Sequence, residues 1–68
     1  MELIAVLTPA EEGGYVALNP ETGTTTQGET VEYAIANLRE ATELYLSEFH
    51  IPTPRHPLIT TFSVSTHA

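Results

Sequence analysis

The stretch EEGGYVALNPETG, residues 11–23, decides the fold because it places two adjacent glycines between two extended runs. Gly13 and Gly14 separate the apolar run LIAVLT (3–8) from the run YVALN (15–19). Adjacent glycines supply the positive φ values that tight hairpins need. The stretch therefore predicts a β-hairpin whose turn has two glutamates at its shoulder.

A phosphate-binding loop is the alternative interpretation of the same glycines. A Walker-type loop needs a lysine followed by Ser or Thr, and the chain has no lysine. A dinucleotide fingerprint needs a helix after the glycines, whereas a strand follows here. The pattern favours the turn, and no cofactor is expected.

The segments after the hairpin predict a third strand and one helix. TTTQG (24–28) is polar and β-prone, which is typical of an edge strand. Thr30 is a good helix N-cap, and the helix should end near Phe49, ahead of Pro52. One stripe of the helix is predicted to face the core: Val31, Ala34, Ile35, Leu38, Ala41, Thr42, Tyr45, Leu46 and Phe49.

A proline-rich connector, HIPTPRHP (50–57), leads to a predicted fourth strand, LITTFSVST (58–66). In this last run Leu58, Thr60, Phe62 and Val64 alternate with smaller or more polar residues. The fold class is therefore α+β in the order β-β-β-α-β, with a three-stranded antiparallel meander and one helix packed on one face. The whole chain, 1–68, is predicted to form a single domain.

Composition limits the stability of this domain and indicates its cellular location. With 68 residues and no cysteine, the chain has a small core and no disulfide to reinforce it. Oligomerisation or a partner protein is the usual compensation. No signal peptide is recognised, and no apolar run approaches the roughly 20 residues of a membrane span. A soluble, cytoplasmic protein is expected.

The predicted hairpin has apolar residues on both faces of its sheet. One face is expected to carry Leu3, Ala5, Leu7, Val16 and Leu18, and the other Ile4, Val6, Tyr15 and Ala17. One helix covers only one face, and the pattern leaves open which one it is. We expect the second set, Ile4, Val6, Tyr15 and Ala17, to meet another chain, which makes the protein a homo-oligomer.

Charge narrows the classes of partner. The formal net charge is −7, with nine glutamates and only two arginines, so the chain should repel nucleic acid. The acidic surface either keeps the domain well solvated or attracts a basic protein. Neither the glutamates nor the three histidines show the spacing of a catalytic or metal site, so no enzyme activity and no metal are expected.

Residues 11–46 resemble the HicB family of bacterial and archaeal antitoxins. The matching series is Gly13-Gly14-Tyr15, Pro20, Gly23, Thr26-Gln27-Gly28-Glu29-Thr30, Ala34, Asn37 and Glu40-Ala41, with preserved spacing over about half of the chain. Thr22 and Thr24 replace a proline and a cysteine of the family's turn, and Tyr33 stands where glutamate is common.

The resemblance implies a shortened RNase H-like fold in which the fourth strand lies parallel to the first. It also implies a partner, the small basic HicA-type mRNA interferase, whose RNA-binding face the antitoxin of a type II toxin–antitoxin system would occlude. Many members add a C-terminal DNA-binding module. This chain stops shortly after the predicted fourth strand, so direct DNA binding is not expected.

The residues predicted to contact such a toxin are Glu11, Glu12, Tyr15, Glu21, Glu32, Glu40 and Glu43. Two other hypotheses remain open at this point. One is a stand-alone self-assembling structural or regulatory domain with no toxin partner, which should oligomerise in pure form. The other is a relic nuclease, which should bind magnesium or manganese through clustered acids.

Overall fold

The structure is a computed structural model, and it describes residues 1–66. It contains β1 (Val6–Pro9), β2 (Tyr15–Asn19), β3 (Thr24–Gly28) and the helix α1 (Val31–Glu48) in chain order. The three strands form an antiparallel sheet in the order β1-β2-β3, and α1 packs mainly on β3 and β2. The α+β class and the meander are therefore confirmed.

The glycine pair forms the turn that the sequence predicts. Gly13 and Gly14 have φ angles of 101° and 74°, which an L side chain rarely adopts. The Gly13 amide donates to the Ala10 carbonyl (3.1 Å), and the Ala10 amide donates to the Gly14 carbonyl (2.9 Å). These two bonds close the loop between β1 and β2.

The strand register corrects the predicted composition of the two sheet faces. Leu7 lies opposite Ala17, and Val6 lies opposite Leu18. Directly opposed residues of antiparallel strands point to the same face. Ala17 is fully buried, and Leu7 and Tyr15 pack against the same core under α1.

The prediction that Ile4, Val6, Tyr15 and Ala17 share an outer face is therefore wrong. Tyr15 and Ala17 lie on the helix side of the sheet, whereas Val6 lies on the opposite side. The loop from Ala10 to Gly14 sets this register, and a shift of one residue exchanges the faces. Ile4 precedes β1 and is held by backbone hydrogen bonds described below.

The helix begins and packs as its sequence predicts. Thr30 is the N-cap, and its hydroxyl accepts a bond from the Tyr33 amide (3.1 Å). Ala34, Leu38 and Thr42 are its buried residues. Phe49, the last residue of the predicted stripe, is the C-cap in extended conformation and is 58% exposed. The apolar stripe thus loses contact with the sheet where the helix ends.

The N-terminal half of α1 lies very close to β3. A Cβ atom at Gly28 would stand 2.3 Å from the Ala34 nitrogen, so a side chain has no room there. Thr26 Oγ1 donates to the Ala34 carbonyl (3.1 Å) and Asn37 Nδ2 donates to the Gln27 carbonyl (2.7 Å). These contacts fix the helix on the third strand.

The structure does not show the predicted fourth strand. Residues 58–66 have no sheet partner and are exposed throughout, with Leu58 91% and Phe62 85% exposed. A strand is stable only where a neighbour satisfies its backbone groups. The chain extends over 48 × 28 × 15 Å, so it is elongated along one axis.

Candidate protein-interaction surfaces

Five of the predicted contact acids are exposed. Glu11 and Glu12 lie in the hairpin turn, and Glu32, Glu40 and Glu43 lie on α1. Within residues 1–66, none of the five forms an ion pair. Because their carboxylates remain in water, they attract a cationic partner without first breaking an internal contact.

The hairpin turn lies beside the segment that starts the helix. A Cβ atom at Gly14 would stand 2.6 Å from the Gly28 carbonyl oxygen and 3.2 Å from the Glu29 Cα. From Glu32 to Glu43, α1 continues for about 16 Å at its usual rise per residue. The hairpin turn is therefore a neighbour of the segment that leads into α1, and Glu40 and Glu43 lie further along the helix.

Tyr15 is a smaller contact than the sequence predicts. Its side chain packs against the core cluster of Ala17, Ala34 and Leu38, and the residue is partly buried. Most of the ring surface is therefore used within the domain.

Glu21 is not a surface residue, and its predicted role as a toxin contact is wrong. Its side chain is only 1% exposed. The carboxylate accepts bonds from the Ile4 amide (3.1 and 3.3 Å), from Asn19 Nδ2 (2.7 Å) and from His56 Nδ1 (2.5 Å). Four polar contacts to one buried carboxylate leave it little capacity to bind a partner.

The environment of Glu21 shifts its acidity. Burial disfavours the charged carboxylate, but the hydrogen bonds from His56, Ile4 and Asn19 outweigh that cost and lower the pKa of Glu21 below its ordinary value. The carboxylate is therefore charged at neutral pH.

Asn19 completes this arrangement, which we call the Glu21 cluster (Ile4, Asn19, Glu21 and His56). Asn19 is 1% exposed; its Nδ2 also donates to the Ile4 carbonyl (2.8 Å), and its Oδ1 accepts from the Thr22 amide (3.0 Å). The cluster joins the N-terminal segment, the β2–β3 turn and the proline-rich linker. The sequence gives no signal for it, because His56 lies 35 positions from Glu21.

A groove of about 870 Å³ lies between the N-terminal segment and α1. One wall is residues 1–5, and the other is formed by α1 side chains that include Ile35, Leu38 and Leu46. Thr42 also lines the groove, and its buried Oγ1 has no hydrogen-bond partner among the described residues. Sequence reasoning did not find the groove, because its walls are far apart in the chain.

In the part of the chain that the structure describes, no group of three or more His, Cys, Asp or Glu side chains is placed to hold a metal ion. Separately, α1 is not apolar enough over its length to cross a membrane.

Comparison of the sequence with models of protein families and with curated proteins, and of the structure with solved structures, finds no match.

Proposed function

We propose that this protein is an antitoxin-like binding module of a cytoplasmic type II toxin–antitoxin pair, related to HicB. Its partner would be a small basic mRNA interferase of the HicA type. The observation that carries the proposal is the set of five exposed acids without internal ion pairs, in a chain of net charge −7. The motif series over residues 11–46 adds the family.

The proposed mechanism is occlusion rather than chemistry on this chain. An mRNA interferase binds RNA phosphates through lysine and arginine, and carboxylates compete for the same side chains. The acids on the hairpin turn and on α1 would steer the toxin and cover its RNA-binding face. The antiparallel sheet followed by one helix is compatible with a shortened RNase H-like fold, which a strand parallel to β1 would complete.

Co-expression with the short lysine-rich reading frame beside the gene tests this function. We expect the two proteins to co-purify at low salt and to separate as salt is raised, because exposed charges are screened. The triple variant Glu32→Gln, Glu40→Gln, Glu43→Gln should weaken the complex.

The matched control is Glu2→Gln, Glu29→Gln, Glu48→Gln, which removes the same charge from other exposed positions. Equal weakening by both triple variants would show that net charge, and not the outer side of α1, attracts the partner. If no complex survives at low salt, the antitoxin function is refuted.

Self-assembly without a toxin is a second candidate function, and a specific observation favours it. Residues 58–66 expose an unusual amount of apolar surface for a monomer, with Ile59 60% and Val64 69% exposed besides Leu58 and Phe62. This candidate would be favoured if light scattering showed that the pure protein is an oligomer and if no basic partner bound to it.

A further inference from the structure

We propose that two copies of this chain exchange their C-terminal arms, each arm lying in the other copy's groove as a strand beside β1. The arm is residues 58–66, and the groove is the one between residues 1–5 and α1. This dimer does not depend on the proposed toxin partner, since both of its surfaces belong to this chain.

The arm has the pattern of a strand but none of its contacts. Leu58, Phe62 and Val64 alternate with other residues, and all three are more than two-thirds exposed. An isolated extended segment with one apolar side is stable only when another surface covers that side. The arm therefore lacks a receptor in the described structure.

The groove has the properties of that receptor. Ile35, Leu38 and Leu46 give it an apolar wall on α1, beside the charged Arg39 and Glu43. β1 is an outer strand of the sheet, so its free edge offers backbone donors and acceptors. Nine extended residues span about 30 Å, so an arm lying along residues 1–5 in the groove would also reach β1.

The linker favours a second copy over the arm's own groove. His56 is tied to Glu21, and Pro57 follows it directly, after Pro52 and Pro54. Proline fixes its own φ angle and restricts the preceding residue, so this connector is stiff. The arm does not pair with its own sheet, and a stiff hinge of this kind favours exchange of an identical element between protomers.

The oligomeric state of the full chain tests the exchange. Size-exclusion chromatography with light scattering should show a dimer for the wild type. Phe62→Glu places a charge on the side of the arm that enters the groove and should give a monomer. Ser63→Glu places the same charge on the opposite side of the arm and should leave the dimer intact.

Circular dichroism separates loss of the dimer from loss of the fold, because Phe62 is 85% exposed in its own chain and Phe62→Glu should keep the helical signal. Isotope-filtered NMR on a mixture of labelled and unlabelled protein should show contacts from the Phe62 ring to Leu38 between chains. A stable wild-type monomer, contacts only within one chain, or a dimer that persists in Phe62→Glu would each overturn the proposal.

Discussion

The Glu21 carboxylate holds three segments of the chain together while buried in the protein. Its cost of burial is offset because donors from Ile4, Asn19 and His56 surround it. His56 is about half-exposed, so water screens part of this interaction. The cluster matters for the proposed dimer as well, since it fixes the point from which the arm departs.

Acidification should weaken the fold through Glu21. Its pKa is lowered in the folded state, so its contribution is complete above the ordinary value of 4.5 and is lost as pH falls from there through the folded value. Urea unfolding is measured at neutral pH and at a pH below 4.5. Between these two conditions, Glu21→Gln should lose less stability than the wild type. At neutral pH that variant should lose about 1 kcal/mol.

The exposed Glu29→Gln is the control for this experiment and should keep the wild-type dependence on pH. If Glu21→Gln and the wild type lose stability in parallel on acidification, the described hydrogen bonds do not lower the pKa of Glu21.

Gly28 is the residue where backbone proximity matters most. A methyl group there would meet the Ala34 nitrogen, so Gly28→Ala should separate α1 from β3. Over-packing of this kind costs about 1–3 kcal/mol, and we expect the upper part of that range. Gly23→Ala is the comparison, because Gly23 has a positive φ of 78° but free space around it.

Gly23→Ala should therefore lose only about 1 kcal/mol through backbone strain. Denaturant unfolding of both variants measures the difference. A smaller loss for Gly28→Ala than for Gly23→Ala would contradict the close packing of α1 on β3.

For the strands and the helix, local sequence patterns predict those bounds that are set by interactions between nearby residues. β2 and β3 have the predicted bounds, and α1 starts after its predicted cap and ends one residue before Phe49. β1 was predicted over 3–8 but forms over Val6–Pro9, because the backbone at Ile4 bonds to side chains of the Glu21 cluster. Side-chain partners that are distant in the sequence leave no local pattern.

The predicted sheet faces are wrong and the predicted fourth strand over residues 58–66 is not shown, for two different reasons. The faces depend on register, which the loop from Ala10 to Gly14 sets, and a period of two gives no register by itself. The alternation in 58–66 predicts a strand correctly only if a neighbouring strand is available. The turn and helix positions predict that five acids are exposed: Glu11, Glu12, Glu32, Glu40 and Glu43. The burial of Glu21 has no local pattern, because its partners Ile4 and His56 are distant in the sequence.

The helix cap provides a direct test of α1. Thr30→Ala removes the acceptor of the Tyr33 amide and should lower the free energy of unfolding by about 1 kcal/mol. Thr25→Ala is the matched control, because Thr25 is exposed on β3 and caps nothing. Thermal unfolding followed at the helical signal measures both. A loss in Thr25→Ala equal to that in Thr30→Ala would mean that the cap contributes nothing specific.

The molecule as a whole is small for the surface it exposes. Its buried apolar core is Ala17, Ala34 and Leu38, and the radius of gyration is 14.2 Å. A compact domain of this length has a radius near 11 Å, by the usual scaling with chain length. Residues 58–66, which are exposed throughout, add to this radius. A core of three residues gains much from apolar surface that a second copy would bury.

Stability should therefore depend on protein concentration. Unfolding of a dimer shifts to higher temperature as concentration rises, since association adds to the free energy of the folded state. The wild type should show this shift across a hundred-fold range of concentration, roughly 1–100 µM, which brackets a micromolar dissociation constant. Phe62→Glu should melt at a lower and constant temperature, while Ser63→Glu follows the wild type. A wild-type melting temperature that stays constant over the whole range would show that the arm adds no intermolecular stability to this small core.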